Sequence, residues 1–215
     1  MSYALPAPQT TRPVLLDLVP KSLTRDVVSV VSFALLTAAA AQIRIPLGFT
    51  PVPITGQTFA VLLSGAVLGA NRGGLSQLLY VGLGAIGLPF YAGGVGGLTA
   101  EGAAIPWVTA APIPTIGYLF GFVAAAWIVG FMAERQQVRS VTDSIPAFLA
   151  GSVVIYLIGA TVLAYQLGIP FAADLDEPSA LKFGIAPFVI GDVLKAVVAG
   201  LLVPGAWKIF GPFGE

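Results

Sequence analysis

The chain of 215 residues contains no cysteine and no histidine. Their absence excludes disulfides, thiol nucleophiles, imidazole bases and metal sites built on either side chain. Charged residues are also scarce: they make up 9% of the chain, against about 25% in an ordinary soluble domain. Any functional site must therefore use the few carboxylates, lysines and arginines, together with hydroxyl, amide and aromatic side chains and the backbone. We predict neither a bound metal nor a cofactor.

Charge balance and motifs exclude two further classes of function. The 10 basic residues equal the 10 acidic residues in number, so the chain has no net positive charge and we expect no nucleic-acid partner. No Walker-type phosphate loop occurs, which argues against ATP binding by this chain. The first residues, with Pro6, Pro8 and Arg12 before any apolar run, lack the layout of a cleaved signal peptide.

The chain is rich in apolar residues. Hydrophobic residues make up 57% of it, and its mean hydropathy is +0.92. Its length allows about six spans of roughly 20 residues each with short loops. We therefore predict an all-α membrane protein with six transmembrane helices, multi-pass in the inner (plasma) membrane of a bacterial-type cell. A cytoplasmic N-terminal tail is expected at residues 1–25 and a single membrane domain at residues 26–211.

The distribution of lysine and arginine predicts the orientation of these spans. The spans themselves are expected at residues 27–43, 58–70, 75–90, 115–133, 145–167 and 183–207. Seven basic residues then fall on one side of the membrane: Arg12, Lys21, Arg25, Arg72, Arg135, Arg139 and Lys208. Only Arg44 and Lys182 fall on the other side, and Lys195 lies within the last span. Both termini are therefore expected in the cytoplasm, with a proline-rich, a glycine-rich and an acidic loop facing outward.

Two charged residues, Asp192 and Lys195, interrupt the last apolar segment near its middle. Their spacing places them on one face of a helix, so both can reach the same partner. A charge at bilayer depth costs roughly 2.5–3.5 kcal/mol on insertion scales and is usually turned inward. The two residues are either a structural ion pair between helices or a recognition site. In a recognition site the carboxylate accepts and the ammonium donates, which suits an amide or urea.

Two outward loops could contribute to the same site. The proline-rich loop carries Thr55 and Gln57, and it is either a lid over the site or a turn that caps the second helix. The glycine-rich loop carries Phe90, Tyr91 and Gly93. Glycine lets the backbone approach a ligand closely, although a flexible connector is the alternative interpretation.

Small residues on the first helix form a third feature. Ala34 and Ala38 lie one helical turn apart, a spacing that favours close packing of helices in lipid. The pattern predicts either an internal seam or a docking face for another membrane protein.

Four motifs occur in a specific order along residues 27–207. They are PVPITGQT at 51–58, GLPFYAGG at 87–94, PTIGYLFGF at 114–122 and GDVLK at 191–195. This ordered set closely resembles the biotin-specific substrate-binding subunits of energy-coupling-factor transporters, the BioY family. The chain departs from the family pattern at 113–118, which reads IPTIGY, and in a lengthened outer loop at 99–112 that carries Glu101 and Trp107.

The resemblance implies a six-helix membrane subunit that binds biotin from outside. In such transporters a transmembrane coupling protein and two cytoplasmic ATPases drive uptake, and the first helix docks on the coupler, a role that Ala34 and Ala38 match. Some family members are reported to act without this module, so its requirement stays open, as does homo-oligomerisation. We therefore expect substrate-binding residues in the two outward loops, around the start of the fourth helix and in the last helix. They are Asp192, Lys195, Gln57, Thr55, Phe90, Tyr91, Gly93, Thr115 and Tyr118.

Biotin is chemically consistent with the charged pair. Its ureido ring carries N–H donors for Asp192 and a carbonyl acceptor for Lys195, and its thiophane ring and tail suit an apolar pocket. The tail carboxylate would need donors such as Gln57 or backbone N–H groups of the glycine-rich loop. The reverse orientation, with the carboxylate at Lys195, remains open at this point.

Three other functions are consistent with parts of the sequence. One is a related subunit for another small vitamin, which would differ only in the pocket contacts. Another is an intramembrane enzyme that uses Asp192 as an acid or base beside Lys195. The absence of histidine, cysteine and a second carboxylate within a span argues against it, so we do not expect an enzyme. A self-sufficient transporter is the third, and the lack of paired broken helices counts against it.

Overall fold

Helices make up nearly all the regular structure in the computed structural model, which describes residues 14–97, 113–135, 137–174 and 177–210. A 3-10 turn at Leu15–Leu18 precedes seven α-helices. These are α1 (Leu23–Gln42), α2 (Gln57–Leu68), α3 (Ala70–Ala85), α4 (Ile116–Ala133), α5 (Val141–Leu167), α6 (Ala180–Gly184) and α7 (Val189–Phe210). The start of the predicted tail, with Pro6, Pro8 and Arg12, and the lengthened outer loop, with Glu101 and Trp107, lie outside the described residues.

The predicted helical class is confirmed, and each predicted span overlaps a helix of 12 residues or more. Four helices are long and apolar enough to cross a membrane: α1, α4, α5 and α7. The α2 helix is apolar but has only 12 residues, and α3 has 16. Large apolar side chains such as Leu35, Phe120 and Leu201 remain exposed on the outside of the bundle, which is the surface that a bilayer would cover.

The break between α2 and α3 lies earlier than the sequence predicted. Residues 71–74 were expected to form a loop, but they belong to the first turn of α3. The chain turns instead at Gly69, whose φ of 84° lies in the left-handed region that side chains disfavour. The Glu134 carboxylate then accepts a hydrogen bond of 2.8 Å from the Ala70 N–H. This bond satisfies a free donor at the start of α3. The same helix ends at Ala85, before the predicted limit of residue 90.

The last predicted span is also divided. A short helix, α6, is followed by a turn at residues 185–188, and α7 begins only at Val189. Asp192 therefore lies in the first turn of α7 rather than in the middle of a continuous span. The position favours a carboxylate, because the N-terminal end of a helix carries partial positive charge.

The proline-rich loop contains a small antiparallel hairpin. Strand β1 (Arg44–Ile45) pairs with β2 (Ile54–Thr55), with Arg44 opposite Thr55. The Thr50 hydroxyl donates a hydrogen bond of 2.7 Å to the carbonyl of Phe183 in α6. The loop is thus irregular, as predicted, but it is attached at one end of the bundle to the segment that precedes α7.

The α4 helix lies at the centre of the bundle, where it packs against α2, α3 and α5. One apolar cluster surrounds Tyr118 and Phe122, and a second surrounds Phe148 and includes Val14 from the N-terminal segment. Ion pairs attach that segment to the helices: the Asp17 carboxylate lies 3.1 Å from the Arg72 guanidinium. Residues 14–18 of the predicted tail therefore pack on the membrane domain.

The small residues of α1 are buried against the bundle. Ala34 is 0% exposed and Ala38 is 7% exposed, and both belong to the apolar cluster around Tyr118. The helix packs mainly on α3, where the Gln77 amide donates a hydrogen bond of 3.1 Å to the Thr37 hydroxyl. This burial favours the internal seam over the docking face as the interpretation of Ala34 and Ala38.

Candidate functional site

Asp192 and Lys195 form the ion pair that their spacing predicted. The Asp192 Oδ1 and Lys195 Nζ atoms lie 2.7 Å apart on one face of α7. Asp192 is nearly buried, with 5% of its side chain exposed, whereas Lys195 retains 21%. The two opposite charges make this part of the protein interior electrically neutral.

Three other elements supply hydrogen bonds to the pair. The Thr58 hydroxyl of α2 donates to Asp192 Oδ1 and accepts from Lys195 Nζ, both at 2.9 Å. The Tyr156 hydroxyl of α5 donates to Asp192 Oδ2 at 2.5 Å. The remaining Lys195 N–H donates to the carbonyl of Thr55 in β2 at 2.7 Å. The pair thus joins α2, α5, α7 and the hairpin.

A cavity of about 60 Å³ lies beside the pair. One water takes roughly 10–15 Å³ of such a volume, so the cavity has room for about four to six water molecules. We call it the deep cavity. Its remaining wall is mainly apolar and aromatic, formed by Val52, Pro53, Tyr91, Ala92, Tyr118, Leu119, Phe122, Ile155 and Phe188. A mostly apolar wall with a few converging polar groups is typical of a small-molecule site.

Most of the predicted binding residues line the deep cavity. Besides Asp192 and Lys195, these are Thr55, Gln57, Tyr91, Thr115 and Tyr118. The structure does not place Phe90 or Gly93 in its wall. Phe90 is half-buried against the apolar cluster around Tyr118, and Gly93 lies beside the Arg44 side chain.

Gln57 is held in one orientation by its neighbours. Its Oε1 atom accepts a hydrogen bond of 2.8 Å from the Thr55 hydroxyl, and its Nε2 atom donates to the Tyr80 hydroxyl. Gln57 itself is only 5% exposed. Such bonds fix the amide before any ligand arrives, which lowers the entropic cost of binding.

Two tyrosines of the cavity wall, Tyr91 and Tyr118, present their rings rather than their hydroxyls to the cavity. The Tyr91 hydroxyl donates to the Val81 carbonyl at 2.6 Å, and the Tyr118 hydroxyl donates to the Gly184 carbonyl at 2.9 Å. Burial raises the pKa of Tyr91 to about 12, so its hydroxyl stays protonated at neutral pH and keeps this donor role. The rings are therefore fixed and provide flat apolar surfaces.

Sequence reasoning missed several members of the cavity. Thr58 and Tyr156 contact the charged pair directly, yet neither was among the predicted binding residues. A signal existed for Tyr156, since it places a hydroxyl within the long apolar segment of α5, where a polar group needs a partner. No signal of this kind marks Phe122, Ile155 or Phe188, because apolar residues are common throughout the chain.

A second cavity, the outer cavity, adjoins the deep cavity. It has a volume of about 270 Å³ and shares four residues with the deep cavity: Pro53, Tyr91, Ala92 and Thr115. The rest of its wall includes Arg44, Leu47, Thr50, Val95 and Ile113. Within the described part of the chain, no cluster of three or more carboxylates suitable for a metal ion occurs.

Comparison with known proteins gives a consistent result. A sequence model of the BioY family matches residues 9–212. The chain is 38% identical to the biotin transporter BioY of Rhizobium etli, over 83% of this chain and 91% of that protein. It is 40% identical to the biotin transporter BioY of Rhodobacter capsulatus, over 83% and 90% of the two chains.

A solved structure shows the same architecture. The crystal structure of the S-component for biotin from an ECF-type ABC transporter superposes with a TM-score of 0.68 and 25% sequence identity. The match covers 88% of this chain and 95% of that chain. The arrangement of helices described above is therefore that of a transporter S-component.

Proposed function

The chain belongs to the BioY family, and on this premise we propose that it is the biotin-binding membrane subunit of a vitamin importer. It is a multi-pass membrane protein and a transporter component rather than an enzyme. The observation that carries the proposal for biotin is the neutral, hydrogen-bonded pair Asp192–Lys195 at the wall of an otherwise apolar cavity.

The ureido ring of biotin suits the groups around this pair. Asp192 Oδ2 accepts one hydrogen bond, from Tyr156, and a carboxylate oxygen can accept a second one from a ureido N–H. The Lys195 ammonium reaches the ureido oxygen when it exchanges its bond to Thr58 for one to the ligand. A neutral ring leaves the pair neutral, which avoids the cost of an unpaired charge in the interior.

The apolar wall suits the remainder of the ring system. Phe122, Ile155 and Phe188 are buried side chains of the deep cavity, and the thiophane ring gains free energy by leaving water for such surroundings. The aromatic rings of Tyr91 and Tyr118 complete this wall. Thr55, Gln57 and Thr115 add polar groups to the wall, where they orient the ligand.

We further propose that six helices, α1 to α5 and α7, span the membrane with both termini in the cytoplasm. The proline-rich hairpin would then lie on the outer side, as a lid over the two cavities. Since the sequence has no nucleotide-binding loop, uptake against a gradient would require a separate coupling protein and ATPases, the module that gives ECF-type transporters their name.

Biotin should raise the thermal stability of the purified protein. Ligand at 100 times its Kd adds about 2.7 kcal/mol to the free energy of unfolding, which for a chain of this size corresponds to roughly 5–10 °C in Tm. The measurement is a thermal unfolding curve in detergent with biotin, and with riboflavin and thiamine as control vitamins. No shift with biotin far above micromolar concentration would contradict the proposal, and a shift with a control vitamin alone would identify a different substrate.

A further inference from the structure

Arg44 stands at the entrance to the site, across the hairpin from a residue of the deep cavity. It pairs with Thr55, whose carbonyl accepts the hydrogen bond from Lys195. Arg44 also lines the outer cavity, which adjoins the deep cavity and shares wall residues such as Tyr91 and Thr115 with it. A ligand that fills both cavities therefore extends from the Asp192–Lys195 pair toward Arg44.

The two ends of the site formed by the deep and outer cavities differ in charge. The residues that line the two cavities include three charged side chains: Asp192, Lys195 and Arg44. At the deep end, all three N–H groups of the Lys195 ammonium already donate, to Thr55, Thr58 and Asp192. The Arg44 guanidinium, in contrast, forms no ion pair within the described residues. Among the described residues, the deep end is therefore neutral in sum, and the outer end carries a positive charge without an acidic partner.

A ligand carboxylate would be placed according to this difference. At the deep end it would lie beside the Asp192 carboxylate, and like charges at such short range repel. At the outer end it would meet the planar guanidinium, whose donors match both oxygens of a carboxylate. The charge distribution thus favours a ligand with a neutral polar head inside and an anionic tail outside.

We propose that Arg44 binds the carboxylate of the biotin tail and makes the protein select the free acid over amide or ester derivatives. The inference rests on the proposed function and assigns the orientation of biotin, with its ureido ring at Asp192 and Lys195. Arg44 was not among the residues predicted to bind substrate. In the sequence its positive charge indicates only on which side of the membrane the loop lies.

Gly93 leaves space for the Arg44 side chain at this place. The guanidinium lies across the Gly93 backbone, and a Cβ atom at Gly93 would overlap Arg44 Nη1. The neighbouring Gly94 has a similar backbone, with φ of 74° against 82° for Gly93. However, a Cβ at Gly94 would meet only the Gln42 side chain, at 3.9 Å. Gly93 therefore acts on the ligand through the position of Arg44.

The test compares biotin with biotin carboxamide on the full chain in detergent, by isothermal titration calorimetry. Arg44→Gln should weaken binding of biotin about 10-fold, the loss expected for a charge-assisted hydrogen bond at an exposed site. It should leave binding of the carboxamide unchanged, and Arg44→Lys should recover part of the loss. Wild-type protein should bind the carboxamide about as weakly as Arg44→Gln binds biotin.

Equal affinity of wild type and Arg44→Gln for biotin would overturn the role of Arg44 while leaving the proposed function intact. Absence of biotin binding by the wild type would overturn both. Gly93→Ala provides an independent variant: it should weaken binding of biotin more than that of the carboxamide. Gly94→Ala, which introduces the same backbone strain without overlapping Arg44, should affect both ligands equally. Equal effects of Gly93→Ala on both ligands would contradict the positioning role.

Discussion

At the scale of single residues, the site depends on a charged pair that is stable only as a complete unit. Asp192 accepts hydrogen bonds from Lys195, Thr58 and Tyr156, and Lys195 bonds to Asp192, Thr58 and the hairpin backbone. Removing one charge leaves the other in the interior without compensation, whereas removing both leaves a neutral site. The same bonds hold the carboxylate and ammonium in position for a ligand.

We expect Asp192→Asn and Lys195→Met each to lower the free energy of unfolding by about 2–4 kcal/mol, because each leaves one uncompensated charge. The double variant should lose less than the sum of the two, since it leaves no charge behind. All three variants should bind biotin at least about 10-fold more weakly. Thermal unfolding curves and biotin titrations of the four proteins measure both effects.

The two readouts separate a recognition site from a purely structural ion pair. If the single variants lost stability but bound biotin with unchanged affinity, the pair would be structural. Additive losses in stability would show that the two charges do not compensate each other.

The contacts within one helix could be predicted from sequence, but those between helices could not. Helical periodicity places Asp192 and Lys195 on one face, and the structure confirms that they touch. Thr58 and Tyr156 reach the same atoms from α2 and α5, and their positions depend on how these helices cross. Spacing along the chain contains no information about that crossing.

At the scale of helices and strands, the small residues of α1 have two interpretations, and their burial favours one of them. A row of small residues can serve either an internal contact or an external one, because both require close approach of helices. In this protein Ala34 and Ala38 face the interior of the bundle, while Ala39 on the same helix is exposed. The seam leaves Leu35 and Leu36 on the outer surface of α1.

We expect Ala34→Leu to lower the free energy of unfolding by about 1–3 kcal/mol, because the added methylene groups have no space against α3. Ala39→Leu is the matched control on the exposed face and should change it by less than about 0.5 kcal/mol. Thermal unfolding in detergent measures both. If Ala34→Leu left Tm unchanged but abolished co-purification with a coupling protein, Ala34 would belong to a docking face after all.

The presence of each long helix was easier to predict from the sequence than its first and last residues. Long apolar segments located the helices, because a backbone in lipid must satisfy its own hydrogen bonds and a helix does so within one segment. The break at Gly69 was missed because Asn71, Arg72 and the glycines that follow read as a loop, although they continue as helix once Glu134 caps Ala70. The break before Val189 was missed because residues 183–188 contain no polar residue, although Gly184 and Pro187 are turn signals.

At the scale of the whole molecule, the charges separate the two ends of the bundle. Arg25 and Arg72 share the Asp26 carboxylate at distances of 2.6 and 3.3 Å, near the first residues of α1. Arg44 lies two residues beyond the last residue of the same helix, whose 20 residues span about 30 Å. Arg25 and Arg72, two of the basic residues predicted to be cytoplasmic, therefore lie at the opposite end of α1 from the entrance to the cavities.

This separation predicts which end of the bundle faces the outside, and the absence of cysteine allows a direct test. We expect Gly48→Cys, in the exposed hairpin loop where a side chain meets nothing within 4 Å, to react with a membrane-impermeant maleimide in intact cells. Gln137→Cys, exposed between α4 and α5, should react only after permeabilisation, because lysine- and arginine-rich loops stay in the cytoplasm. The cysteine-free parent controls for labelling of other groups, and biotin binding by each variant confirms its fold. Labelling of Gln137→Cys but not Gly48→Cys in intact cells would show that the orientation is the reverse of the one predicted. The cavity entrance would then lie on the cytoplasmic side, where an importer subunit could not capture external biotin.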